Sequence, residues 1–287
     1  MQANNAPQAE LAAIVAFLEG PTVDRDGNVF FTETRTHKIM KMAPDGTLSV
    51  FRENSNGANG LVFDLEFRLI ACEGNQAKPR VTRTNMATGR VEVLASREMG
   101  LTLTAPNDVT FDNKGRLYFT DLPGGTVHRI DTDGKVTRIL ASPDVQRPNG
   151  ITISPDDKTL YLVEANQTAG GARMLRAYDL RADGTLANMR VFFNFYPGRS
   201  ADGITIDSQG NVVAAAGLNA PRGSAETLDT KPGIHVISPA GQRIQYIPIN
   251  EDTITNCAFG GPDLKTLYVT AGKSLFRIAM GIPGTRR

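Results

Sequence analysis

The chain has no tryptophan, three histidines and two cysteines in 287 residues. With so few soft or imidazole ligands, no zinc-finger-like spacing can be built. Cys72 and Cys257 stand far apart and read as two buried thiols, with a long-range disulfide as the alternative. A dominant charge is also missing, since 31 Lys and Arg oppose 30 Asp and Glu for a net +1. No basic run stands out, which argues against a nucleic-acid surface. No apolar run approaches the roughly 20 residues of a membrane span. The opening MQANNAPQAE has neither a basic n-region nor an apolar h-region, so a cytoplasmic location is expected, with the periplasm as the alternative if a leader was removed before residue 1. There is no Gly-x-Ser-x-Gly elbow, no Cys–His pairing and no phosphate loop, hence no visible covalent nucleophile. His37, His128 and His235 have no partner spacing and read as structural.

What the chain does have is a hairpin, written six times. Its clearest copy runs from Pro106-Asn107-Asp108-Val109-Thr110-Phe111 through Asp112-Asn113-Lys114-Gly115 to Leu117-Tyr118-Phe119-Thr120-Asp121. An alternating strand turns at Asp-x-x-Gly and returns as a second strand rich in β-formers. The copies begin at Glu19, Asn59, Asn107, Asn149, Asp202 and Asn256, at intervals of 40, 48, 42, 53 and 54 residues. Eight residues after the polar start come Gly27, Gly115 and Gly210. The second copy has Phe67 there, and the fourth and sixth carry one residue more. Second hairpins follow most copies, as in Ile39-Met-Lys-Met-Ala-Pro-Asp-Gly-Thr-Leu. A period of 40–50 residues with four short strands is that of a propeller blade. The expected fold is all-β: one six-bladed β-propeller, four antiparallel strands per blade, over residues 11–287, after a flexible tail at 1–10. No helix-period segment stands out beyond a turn at Gln8–Ala16, and Leu11–Phe17, overlapping it, is the alternative outer strand that would close the last blade. Insertions at Asn75–Arg80, Asn166–Arg173 and Gly217–Pro232 read as loops at one end, where entrances to central sites are commonly shaped.

Radial symmetry would gather the six polar starts around the central channel. Any single Asn-Gly or Asp-Gly is more often a turn than a ligand. Six in register, with a glutamate among them, point to a site. All six offer only oxygen, and the two carboxylates bring enough charge to neutralise a divalent cation. Hard oxygen donors favour Ca²⁺, with Mg²⁺, Mn²⁺ or Zn²⁺ as alternatives. A second register, Glu33, Glu73, Asp121, Glu164, Ala216 and Ala271, should flank the first at the ends of the return strands. Acids there could orient water, take its proton, or simply cap the strand ends.

These motifs resemble the gluconolactonase family that includes regucalcin. The resemblance lies in Glu19-Gly-Pro-Thr-Val, Pro106-Asn-Asp-Val-Thr-Phe-Asp, Arg147-Pro-Asn-Gly-Ile-Thr-Ile-Ser-Pro-Asp and Ala201-Asp-Gly-Ile-Thr-Ile-Asp, in family order. It implies a six-bladed propeller and metal-dependent hydrolysis of a small lactone. It also implies that Glu19, Asn149 and Asp202 are metal ligands, with Asn107 as a fourth ligand or a substrate contact. Asp202 or Asp121 would activate water. Asn59, Glu73 and Arg80 would contact substrate, the last two within a variant of the family's Glu-His-Gly-Asn-Arg segment that lacks the His. The partner expected is a small-molecule lactone, with no nucleic acid and no membrane, and the protein a monomer or weak homodimer. The alternatives are another ester or organophosphate hydrolase on the same metal site, or a non-catalytic, metal-stabilised binding propeller.

Overall fold

The computed structural model describes residues 16–285. Six antiparallel sheets follow one another along the chain, five of four strands and one of three among the described residues. Within each, strands are paired in sequence order, as hairpin-linked meanders require. The innermost strands are Leu18–Val23, Ala58–Phe63, Pro106–Phe111, Pro148–Ile153, Ala201–Ile206 and Ile254–Gly260. Each packs beside the next, and the sixth packs beside the first, so the ring is closed. The short sheet is the sixth, ending at Ser274–Ala279. The closing strand considered for it, Leu11–Phe17, and the turn at Gln8–Ala16 fall outside the described residues apart from Ala16 and Phe17, as does the expected tail at 1–10.

Burial falls from the axis outward. Pro148–Ile153 is buried throughout, whereas the outermost Arg243–Pro248 is almost wholly exposed. The apolar core is six clusters, each lying where blades face one another. Among the described residues, the cluster between the last blade and the first is the smallest, with Leu18, Val29 and Phe31 buried against Tyr268 and Leu275.

The Asp-x-x-Gly turns lie at the lower end, away from the polar starts. Asp24, Asp64, Asp112 and Asp207 each accept two backbone amides of their own turn, at 2.8–3.0 Å. Gly27, Gly115 and Gly210 take φ near +80°, and Phe67 holds the same left-handed place at φ 58°. The C-terminal segment crosses beneath. The Ser208 amide donates to Pro283 at 2.8 Å and the Thr285 amide to Ile206 at 3.2 Å, with Gly284 laid against the Phe259 ring.

The glycines after the polar starts have a different task from turning. A Cβ on Gly203 would stand 2.0 Å from Asn256 Cγ, one on Gly150 2.4 Å from the Asp202 carbonyl, and one on Gly20 2.1 Å from the Asn59 carbonyl. Only a residue without a side chain lets neighbouring innermost strands approach this closely. Gly203→Ala should therefore cost roughly 2–3 kcal/mol by overpacking. Gly134→Ala, which meets no atom within 4 Å but has φ +86°, should cost only about 1 kcal/mol. Chemical denaturation of the two variants checks the order, and equal losses would refute the account of Gly203.

Candidate active site

At the upper end of every innermost strand the pairing register breaks beside the polar residue, as between Glu19 and Thr22, Ala58 and Leu61, Pro148 and Ile151, and Ala201 and Ile204. A bulge re-aims side chains, and here it repeats at the same place in each blade. Three consecutive blades are then linked by side chains. Asn107 Nδ2 donates to Asn149 Oδ1 at 2.5 Å, and Asn149 Nδ2 to Asp202 Oδ1 at 2.5 Å. The other Asp202 oxygen is paired with the buried Arg199, whose guanidinium also donates to the Ile254 carbonyl at 3.0 Å.

Glu19 closes the ring from the first blade. Burial, then the nearby charges of Asp202 and Asp108, push its pKa well above the usual carboxylate range, while Arg199 pulls the other way. Asp108 is the member that the sequence reading missed. It stands where Gly20, Gly60, Gly150 and Gly203 stand in other blades, and its carboxylate lies over Gly60. Across the axis, Asn256 Nδ2 donates to its two oxygens at 3.0 and 3.1 Å. Burial and the Asp202 charge raise Asp108 from 3.8 to about 7. The signal was available: Asp108 is the one acid in a position otherwise filled by glycine or by Cys257.

Above the ring a cavity of about 580 Å³ opens, bounded by Phe17, Arg35, His37, Asn59, Asn107 and Arg147 among others. Below it the channel narrows to about 30 Å³, lined by Asp108 and by Thr22, Thr110, Thr152 and Thr205. Asn59 and Asn107 thus reach the cavity. Glu73 and Arg80 do not: Glu73 is fully buried and bound by Arg52, by Arg80 Nε at 2.6 Å and by Thr82 at 2.7 Å. Their neighbours Gly74, Asn75 and Gln76 form the wall instead. The 217–232 loop also lies outside this wall. It is tied down by Arg173, which donates to Ala225 at 2.8 Å, and by Arg222 on Asp252 at 2.8 Å.

The second register of acids holds main chain. Asp121 accepts the Thr104 amide at 2.6 Å and the Ala105 amide at 2.8 Å, immediately before Asn107's strand. Glu33 accepts from Phe17 at 2.9 Å and from Arg35 at 3.0 Å, and Glu164 from Gln146 at 3.0 Å and Arg147 at 2.9 Å. Burial alone would raise Glu33, but its bonds to Thr36, Phe17 and Arg35 outweigh this and hold it below the usual value. Cys72 and Cys257 are buried free thiols. His128, stacked on Phe119 at 5.0 Å, and His235, on the Lys231 carbonyl at 2.9 Å, are structural as expected. His37 is not. It sits in the left-handed region at φ 57°, exposed on the cavity wall.

Among the described residues no three Asp, Glu, His or Cys side chains cluster closely enough to hold a metal by themselves. A set of Glu19 and Asp202 with carboxamide oxygens is a different kind of site, and its chemistry fits a hard divalent cation. Two observations support the fit: Asn59 Oδ1, at the edge of the ring, is buried without a hydrogen-bond partner, and the charge of Asp202 raises the pKa of both Glu19 and Asp108.

The chain matches the SMP-30/Gluconolactonase/LRE-like region over residues 17–273. It is similar to a gluconolactonase of Zymomonas mobilis, 25% identical over 96% of this chain and 81% of that protein. It is 30% identical to the pentonolactonase XacC of Haloferax volcanii over 63% of this chain and 59% of the other. Among solved structures, the gluconolactonase XC5397 of Xanthomonas campestris superposes with TM-score 0.77 at 26% identity, covering 93% and 86% of the two chains. The calcium-binding protein regucalcin of Agrobacterium tumefaciens shares the fold, with TM-score 0.76 at 20% identity over 95% and 93%.

Because Asp108 keeps its proton to about pH 7 in the fold but releases it near 3.8 when unfolded, its stabilising contribution is present at low pH. That contribution is lost as pH rises through about 7. In chelator, melting temperature should therefore fall across this window, and Asp108→Asn should flatten the fall. An identical slope in the variant would refute the assignment.

Proposed function

Because the chain belongs to the SMP-30/gluconolactonase/LRE-like family, we propose that it opens a small lactone of the sugar-acid type by hydrolysis. The observation that carries this reading is the hydrogen-bonded run Asn107–Asn149–Asp202, set with Glu19 beneath a cavity of about 580 Å³. That volume suits a sugar-sized ligand.

Glu19, Asn149 and Asp202, with Asn107 at the edge, are the residues that would hold a divalent cation, and calcium is favoured by their oxygen-only chemistry. When bound, such a cation polarises the ester carbonyl and offsets the charge that develops on its oxygen. The remaining work belongs to side chains. Asp202 is the proton acceptor for the attacking water. Asn149 and Arg199 fix the direction of its two oxygens, so the lone pair that takes the proton is aimed before substrate arrives. Asn107 and Asn59, on the cavity wall, contact the lactone. Asp121, the other carboxylate considered as base, is fully buried and committed to the Thr104 and Ala105 amides. It acts as a positioning residue, setting where Asn107 stands.

Exhaustive chelation should abolish hydrolysis of gluconolactone, and calcium add-back should restore it. Asp202→Asn should lower kcat/KM by about 10²–10⁴ with the far-ultraviolet circular dichroism unchanged. Activity that survives chelation would remove the cation from the mechanism, and a fully active, folded Asp202→Asn would remove the base. A chain that calcium stabilises but that turns over no lactone would be a binding propeller.

A further inference from the structure

Acids line the axis, and basic side chains line the cavity above it. Glu19, Asp202 and Asp108 lie around the axis. Among the described residues the cavity wall has no Asp or Glu; its charged members are Arg35 and Arg147, with the titratable His37 beside them. Both arginines are held through their main chain. The Arg147 amide is bound to Glu164 and its carbonyl accepts from Ala165 at 3.0 Å, and the following Pro148 restricts its backbone further. The Arg35 amide is bound to Glu33.

The side chains are left available. Arg35 lies 5.8 Å from the Phe17 ring centroid, and neither guanidinium makes an ion pair among the described residues. The acids nearest to them, Glu33 and Glu164, are buried beneath the wall. Their oxygens are committed to backbone amides and, for Glu164, also to Arg176 at 3.4 Å. A wall with two unpaired guanidinium groups and no carboxylate favours a ligand that brings negative charge.

Building on the lactonase reading, we propose that the preferred substrate is a lactone bearing an anionic group, a carboxylate or a phosphate, away from the ester that is cleaved. Arg147, the half-buried member, is the principal anchor, and Arg35, at the rim, closes on the same group. Neutral gluconolactone then fills the cavity without using this pair.

Two measurements on the calcium-loaded protein test this. In the first, kcat/KM is compared for neutral gluconolactone, a carboxylate-bearing aldaric-acid lactone and a phosphorylated sugar lactone. At least one anionic lactone should be preferred by about tenfold or more, and Arg147→Gln should bring that ratio close to one. The two anionic substrates tell carboxylate from phosphate. In the second, calorimetry measures binding of glucose, glucuronate and glucose 6-phosphate, none of which can be hydrolysed. One of the anions should bind about tenfold more tightly than glucose, and the difference should shrink in Arg147→Gln and in Arg35→Gln. Equal handling of neutral and anionic lactones, or a preference untouched by both substitutions, overturns the proposal while leaving lactone hydrolysis intact. Arginine-dependent anion binding with no lactone turned over would instead overturn the lactonase reading and keep the anion site.

Discussion

Six β-strands can share one axis only if their backbones nearly touch, and that requirement governs the rest of this molecule. The touching positions are Gly20, Gly60, Gly150 and Gly203, where a single methyl group would run into the next blade. Because the strands are that close, carboxamides on neighbouring blades come within 2.5 Å and link blade to blade. Close approach also concentrates charge. Glu19, Asp108 and Asp202 are brought together out of water, where burial and the Asp202 charge raise the cost of ionising Glu19 and Asp108. An acidic, oxygen-lined axis is thus a by-product of geometry that the sequence then refines by choosing Glu, Asn or Asp at each start.

The fold was legible because it is repetitive. A hairpin written six times, with a turn at a fixed offset, leaves little freedom in blade number or strand order. The ring of polar starts was legible for the same reason. Asn-Gly was open to misreading, since the dipeptide also makes turns, and only contacts between blades reveal why the glycine is needed. Asp108 was hidden because its signal is a departure from the repeat, and reading by alignment rewards likeness. Glu73 and Arg80 are expected at the substrate because their segment resembles the family's Glu-His-Gly-Asn-Arg run. Register along a strand does not show that two arginines close on one carboxylate from the sides. His37 reads as structural because no partner spacing accompanies it, whereas a left-handed residue carries it to the exposed cavity wall.

The acids at the ends of the return strands illustrate how a repeat is put to two uses. In three blades the carboxylate clasps the segment that leads into the innermost strand: Glu33 on Phe17, Asp121 on Thr104 and Ala105, Glu164 on Gln146 and Arg147. The clasp fixes where the next polar start stands, so precision at the axis is inherited from bonds made one shell further out. In the second blade arginines take the place of the amides, and the segment that follows becomes cavity wall.

The narrowing beneath the ring makes the cavity a blind one. Space for about a single water lies between the ring and the lower face, where the C-terminal segment is laid against blades five and six. No lactone can leave by that route, so arriving and departing molecules share one doorway. Opening a lactone creates a carboxylate, and on the proposed reading that newborn anion would pass Arg35 and Arg147 on its way out. A doorway that favours a charged guest would also detain it, and turnover would then be tied to the rate at which an acid is released to solvent.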